Sequence, residues 1–557
     1  MIGTGILIMA LVLAMIPLAD MLAGADKGWA EREMIANTLA YQHEHMLECW
    51  DCLAEPVMDI EDAWVIEDAR NEAKKSLIQG MRNGCDELGF DRESRTFYCT
   101  IGMECGDDWP QIQLIAQRDE GQNVRLAWID DYTYDYPSDA LRDGYRYELL
   151  AYTDTEYEYI GVVFTGLPIV TLHTFSQTQV GEAYEPARVS IAGTGYKPIN
   201  SAALTHVRGG GYYKGIDKFS YRIEFHDEMA NGRTKKKARS VLGMEADTDW
   251  LLLSNAQEES ALRNYLAFDL WNRWNAEKIV PMMQQSRLVE AFVNDEYMGM
   301  YQLMQRIDVK EELVRMGGNL DTDCLVRLVS PRNYSDNPRQ DWEDETGFLV
   351  EYRYGLDGDA RTVFDRFYNY VRLNTFVGDC LDDEAFTTIA QECVDVDSLL
   401  NYYVFMQACG LADNALNNLF IWMLEKDGKT TYSFSAWDMD NSLQEVGYQE
   451  DGTALRYYEE RMLVADRILD LNLMNSREKL WEIWREKWNT VLSESAMWDW
   501  IIGTQEYVNA SGADLREFDK WRGGAYRISL TAMYDHAVEH LYSVEETFAQ
   551  RWPILEE

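Results

Sequence analysis

Basic charge is what this chain lacks most. Its 557 residues carry 51 Lys and Arg against 96 Asp and Glu, a formal net charge of −45. Such a surface repels nucleic acid and anionic lipid, which need basic patches, and favours cationic partners or metal ions. Cysteine is also scarce: nine residues, an odd number, with a single C-x-x-C at Cys49 and Cys52. With no second pair at zinc spacing, a local disulfide or two buried thiols is the better reading there. Cys85, Cys99 and Cys105 are within pairing range of one another, while Cys324, Cys380, Cys393 and Cys409 sit among apolar residues and read as core thiols. Neither the P-loop pattern G-x-x-x-x-G-K-[ST] nor G-x-G-x-x-G occurs. No internal repeat and no low-complexity linker interrupts the chain.

What is present is enough for a large core. Apolar residues make up 46% and aromatics 12%, which excludes disorder, and the length calls for two or three domains. The first 25 residues hold an uncharged run, Ile6 to Ala19, broken at Asp20. It is short for a membrane span, and Ala23-Gly24-Ala25 resembles a signal cleavage site, although no Lys or Arg precedes the run. A targeting or anchoring role is favoured over a buried helix, with membrane attachment through residues 6–25 as one form of it. Residues 26–90 are dense in Ala, Glu, Met and Leu and predict helix, with Ile35, Leu39 and Met46 on one face. Residues 91–160 alternate in short runs such as Val124-Arg125-Leu126-Ala127-Trp128, a small β-rich region. Its tyrosines fit a sheet face better than a glycan site.

A larger unit is expected over 161–557. Strands are predicted at Gly166–Thr174, Ala187–Ile191, Leu204–Arg208, Phe219–Phe225 and Trp250–Leu253, and a helix over Ser260–Trp274. Leu288–Asn294 and Tyr297–Met304 form a hairpin across Asp295-Glu296; residues 361–410 and 454–552 are helical. Strands first and helices later is the order of an α+β fold.

The chemistry concentrates in residues 413–440. Asp413 precedes Asn417 and Asn418, a hairpin turns at Asp427-Gly428-Lys429, and the return strand ends in Trp437-Asp438-Met439-Asp440. Oxygen ligands at both open ends of a hairpin suit a hard divalent cation and the phosphates it carries. Phosphoryl transfer needs a carboxylate at the attacking hydroxyl and metal ligands beyond it, and protein kinases use Asp, then Asn five residues on, then a second Asp after a hairpin. Asp413, Asn418 and Asp438 repeat that order. Upstream, Lys218 follows the glycine triplet Gly209–Gly211 and opens a strand, the placement that phosphate neutralisation asks for.

Taken in order, these motifs resemble the spore coat protein H (CotH) kinases, an atypical protein-kinase-like family. The resemblance runs over roughly residues 165 to 450 and continues toward the C-terminal helices. It is carried by Leu167-Pro168-Ile169-Val170, Arg208-Gly209, Lys218 with Tyr221, the lysines at 235–237, Trp250–Leu253, Leu262-Arg263-Asn264, the hairpin Val293-Asn294-Asp295-Glu296-Tyr297-Met298-Gly299-Met300-Tyr301, and the Asp413 and Asp438 motifs. It implies a two-lobed kinase-like domain with a helical C-terminal part, and an enzyme using ATP and Mg²⁺ to phosphorylate Ser or Thr of a basic protein partner. It assigns Asp413 to the acceptor hydroxyl and Asn418 and Asp438 to the metal, with Asn417 and Asp440 beside them. Arg208, Lys218 and Arg263 fall to the nucleotide side, Arg263 orienting the site from its helix. It also implies a secreted or membrane-anchored place at a spore coat or cell envelope. The chain departs from the family pattern at Gly210-Gly211-Tyr212, where Asn-Ser-Ser is usual, at Gln305, where Glu is usual, and at Gln257-Glu258-Glu259, where an Asp is common. A non-catalytic, kinase-like coat or surface binding protein is the alternative.

Overall fold

The structure is a computed structural model. It describes residues 52–54, 71–103, 112, 114–118, 122–129, 134–208, 218–228, 234–278, 283–307, 318–319, 323–329, 349–354, 370, 373, 381–411, 414–415, 418–426, 429–443 and 462–554. The chain packs into two units that interleave in sequence. The first takes residues 1–212, 219–252 and 289–299; the second takes 213–218, 253–288 and 300–557.

In the first unit the strands begin early: β1 (Cys52–Ala54), β2 (Asn71–Glu72), β3 (Gly80–Asn83), β4 (Asp86–Glu87), β5 (Gly89–Asp91), β6 (Thr96–Thr100), β7 (Leu114–Gln117) and β8 (Arg125–Trp128). A short helix, α1 (Pro137–Asp143), leads to β9 (Arg146–Tyr152) and β10 (Glu156–Thr165). The helix expected over 26–90 is therefore corrected: where that span is described it is strand and turn. Helix propensity is a weak prior, and tertiary pairing overrides it here. The β3–β4 hairpin turns at Gly84 in the left-handed region (φ 59°). The buried carboxylate of Glu158 accepts from the amides of Leu77 and Ile78 and pairs with Arg95, tying that irregular segment to β10. The β-rich character expected of residues 91–160 holds, and β10 runs without a break across residue 160. Cys85 and Cys99 are free thiols, and Cys324 and Cys409 are buried thiols.

The preceding strands form two sheets, and a third joins β11 (Ile169–Thr174), β12 (Glu185–Ala192), β13 (Ile199–Arg208), β14 (Ser220–Glu228), β15 (Thr234–Lys236), β16 (Asp249–Leu253), β17 (Ser286–Val293) and β18 (Glu296–Gln305). Its order is β13-β12-β11-β17-β18-β16-β14-β15, and β14 also pairs with β13, so the sheet closes into a barrel. Closure leaves the ring strands with no free edge. The N-terminal strands are built onto it. Tyr98, Val163, Ile169, Phe292 and Tyr297 form one buried cluster, and a side chain at Gly89 would put its Cβ 2.2 Å from the Phe292 ring. Asp295, in the β17–β18 turn, bonds His173 (2.7 Å) and Arg92 (2.5 Å).

The second unit holds α2 (Arg263–Trp274), a sheet of β19 (Cys324–Val329), β20 (Leu349–Tyr354), β21 (Leu419–Lys426) and β22 (Lys429–Ala436) in the order β20-β19-β21-β22, and seven further helices among its described residues. These are α3 (Asp383–Cys393), α4 (Val396–Cys409), α5 (Leu463–Asp470), α6 (Ser476–Trp488), α7 (Glu494–Ser511), α8 (Ala513–Arg522) and α9 (Thr531–Arg551). Helix α4 is apolar almost all round and buried along its length, as a core helix must be. Asp395 caps its first turn and Gly410 ends it at φ 59°. The fold is α+β, and among the described residues the strands, hairpins and helices expected after residue 161 stand close to where the sequence pattern puts them; most of 361–380 and all of 454–461, expected as helix, lie outside those residues. The run at 6–25 lies outside the described residues; among those described, no helix is long and apolar enough to cross a membrane.

Candidate active site

The β21–β22 hairpin pairs in continuous register from Leu419↔Ala436 to Lys426↔Lys429. Its open end is drawn shut by backbone: the Trp437 amide donates to the Asn418 carbonyl at 3.0 Å. Buried Asn414 reinforces this, its Nδ2 donating to the carbonyls of Trp437 (2.9 Å) and Asn418 (3.2 Å). Tyr402 of α4 in turn donates to the Asn414 carbonyl at 2.6 Å. Asn418 and Asp438 thus flank one closed end. Both hold left-handed backbone, φ 47° and 57°, a strain that non-glycine residues keep when surrounding structure enforces it. Asp413 and Asn417 lie outside the described residues.

Past the strand the chain turns through 438–443. Asp438 is exposed, Met439 fully buried and Asp440 buried at 9%. Burial first, then the charges of Asp438 and Glu258, push the Asp440 carboxyl from its ordinary 3.8 up to about 7. Helix α2 grips this turn with two successive residues. Asn264 Oδ1 accepts from the Met439 amide at 3.0 Å. Arg263 Nη1 donates to the carbonyls of Ser442 (2.9 Å) and Leu443, and Ser442 Oγ donates back to the Arg263 carbonyl. Glu258 caps the same helix end, accepting from the amides of Leu262 (2.6 Å) and Arg263 (3.0 Å). Arg263 is therefore placed as a clamp on the far end of the 438–443 turn, at Ser442 and Leu443.

Lys218 is buried in the second unit. Its ammonium donates to Glu517 Oε1 and to the Met300 carbonyl, each at 2.7 Å, and lies 4.8 Å from the centre of the Tyr301 ring. The other Glu517 oxygen accepts from the Met300 amide at 2.7 Å, so lysine, carboxylate and the backbone of one residue form a closed ring. Burial lowers the Lys218 pKa and the Glu517 charge opposes that. Arg208 ends β13 in the first unit, opposite Ser220 of β14.

The structure thus brings Asn418, Asp438, Asp440 and Arg263 to one neighbourhood. No group of three or more His, Cys, Asp and Glu poised around a metal occurs among the described residues. The oxygen donors present are a carboxamide and two carboxylates, a hard set; burial raises the Asp440 carboxyl most, and the repulsion from Asp438 and Glu258 that adds to it is what a divalent cation would relieve. The donor chemistry therefore fits Mg²⁺. Sequence reasoning missed Glu517, which meets Lys218 from 299 residues away and leaves no local signal. It also gave no role to Asn264, although Leu262-Arg263-Asn264 was in view, and noted Glu258 only as a departure.

A sequence model of the family described as CotH kinase protein matches residues 205–545, more than half of the chain. No curated protein matches it. On that match, with the Asn418, Asp438 and Asp440 motifs folded to one end of the β21–β22 hairpin, the chain belongs to the CotH kinase protein family.

Proposed function

We propose that this protein is an atypical, kinase-like phosphotransferase that moves the γ-phosphoryl group of ATP to a Ser or Thr hydroxyl of a partner protein. The observation that carries the reading is the closed hairpin end, where Asn418 and Asp438 are held together in strained backbone beside Asp440. Asp438 and Asp440, with Asn418, would hold Mg²⁺, which supplies charge neutralisation for the nucleotide phosphates. Asp413 accepts the proton of the attacking hydroxyl. The hydroxyl oxygen bonds the γ-phosphorus, the bond to the bridging oxygen breaks, and ADP leaves. Arg263 and Asn264 keep the Asp438–Asp440 turn in place while this happens. The formal charge of −45 supports a basic partner through electrostatic steering. Family membership points to a spore coat or cell envelope as the setting.

One observation favours a second reading, a kinase-like binding protein without catalysis: the Lys218 ammonium is spent on Glu517, the Met300 carbonyl and the Tyr301 face. Labelling with γ-phosphate-labelled ATP and Mg²⁺ separates the two. The wild type should transfer label to itself or to a basic Ser-rich peptide, and Asp438→Asn should lose at least about a hundredfold of the rate, as removal of a metal ligand does. Equal labelling of both proteins, or none in either, sinks the kinase reading.

A further inference from the structure

Behind the Asp438–Asp440 turn lies a network of three carboxamides, Asn264 and Gln302 buried and Asn255 half-buried. Asn264 Nδ2 donates to Gln302 Oε1 at 3.0 Å, and Asn255 Nδ2 donates to the same oxygen at 3.1 Å. Asn255 Oδ1 is 3.5 Å from Asn264 Nδ2, and Asn255 Nδ2 also reaches the Ala261 carbonyl at 3.3 Å. The far end of Asn264 accepts from Met439, the peptide between the two aspartates. Asn264, Gln302 and Met439 are all buried, so water does not substitute for a lost partner.

The orientation of each amide follows from one donor that cannot be reassigned. A backbone N–H only donates, so the Asn264 atom facing Met439 is oxygen. Its other atom is then nitrogen, and the Gln302 atom facing that nitrogen is oxygen. Flipping Asn264 would set donor against donor at Met439 and acceptor against acceptor at Gln302, two lost bonds inside a dry site. Asn255 (φ 46°), Ala261 (φ 57°) and Asp438 (φ 57°) all hold left-handed backbone around this network. Such strain persists where neighbours over-determine it.

We propose that Asn264 is a positioning residue for the Asp438–Asp440 turn, and that Gln302 acts through it by locking its carboxamide in the accepting orientation. The assignment rests on the proposed reading of that turn as a divalent-cation site and adds what aims the ligands. Gln302 lies on β18 two residues beyond Met300, whose backbone N–H and C=O close the Lys218–Glu517 ring. One strand therefore supports both the lysine and the aspartate turn. Partners outside the ligand set that orient metal ligands matter nearly as much as the ligands, at about 10–100-fold in affinity.

The test uses the full chain, with Mn²⁺ alone as the probe, titrated by electron paramagnetic resonance, together with amide exchange at Met439. Asn264→Ala should weaken Mn²⁺ binding at least about tenfold and expose the Met439 amide to exchange. Gln302→Met should act in the same direction. In the double variant the Gln302→Met effect should vanish, because its route through Asn264 is gone. Wild-type Mn²⁺ affinity in Asn264→Ala, unchanged Met439 exchange, or additive effects in the double variant would each overturn the proposal. If Asn264→Ala does not fold, Gln302→Met decides alone, and wild-type behaviour in it is equally fatal. A wild type that binds Mn²⁺ but transfers no phosphate removes the kinase reading and leaves this assignment standing. A wild type that binds no Mn²⁺ removes both.

Discussion

Asp440 is buried beside two other carboxylates, and its titration reaches beyond its own side chain. Folded, its carboxyl is pushed up to about 7; in the unfolded chain it returns to its ordinary 3.8. Between those values the folded protein binds the extra proton, so this group's contribution is fully present below the unfolded value and is lost as pH rises through about 7. In chelator, the thermal midpoint of the wild type should therefore fall as pH is raised from about 5 to about 8, and Asp440→Asn should flatten that slope. Saturating Mg²⁺ should raise the wild-type midpoint most at the alkaline end, where the carboxylate is free to bind it. Identical slopes for wild type and variant would show that the titrating group lies elsewhere.

Helix α8 matters because of one residue that it delivers. Glu517 is the carboxylate that pairs directly with the Lys218 ammonium, and both side chains are buried. Removing one charge of a buried pair leaves the other uncompensated and costs about 3–5 kcal/mol. Glu517→Gln should lose stability on that scale in denaturant unfolding, while Lys218→Met with Glu517→Leu should recover most of it. A loss below about 1 kcal/mol in the single variant would mean that the pair behaves as an exposed one. The contrast with the β21–β22 hairpin shows what a sequence carries. Alternation, a turn signal and Trp-Asp-x-Asp are all local, so the hairpin, the approach of Asn418 and Asp438 at its open end and the helix at 263–274 were legible. The Lys218–Glu517 ring joins three distant segments and has no local trace. In the early chain, Ala, Glu and Leu content pointed to helix over 26–90, yet Gly80, Gly84 and Gly89 punctuate strands there, and pairing with β6, β7 and β10 outweighed propensity. The Asn264–Met439 bond lies between: the residue stood in a recognised motif, but its partner is 175 positions away.

For the whole molecule, the family match begins at residue 205, inside β13. The barrel needs more than that. β12 pairs with β13 along seven register positions, and β11 pairs with β17, so a chain starting at 205 would open two strand edges. A fragment of residues 205–557 should be insoluble or molten by near-ultraviolet dichroism and amide exchange, and one that keeps β11 and β12 should be markedly better folded. A native-like 205–557 fragment would show that the barrel does not depend on its first two strands.

Barrel closure also sets an order of events in time. Ile169 of β11 lies parallel to Glu290 of β17, so that pairing waits until more than a hundred further residues have left the ribosome. Contacts so distant in sequence form slowly, because loop-closure entropy must be overcome before they give any return. Until then β11, β12 and β13 make an incomplete meander with bare edges, the state most open to pairing with a neighbouring chain. The same excess of acidic residues keeps those nascent chains apart, and 1 M salt during refolding should turn that protection off.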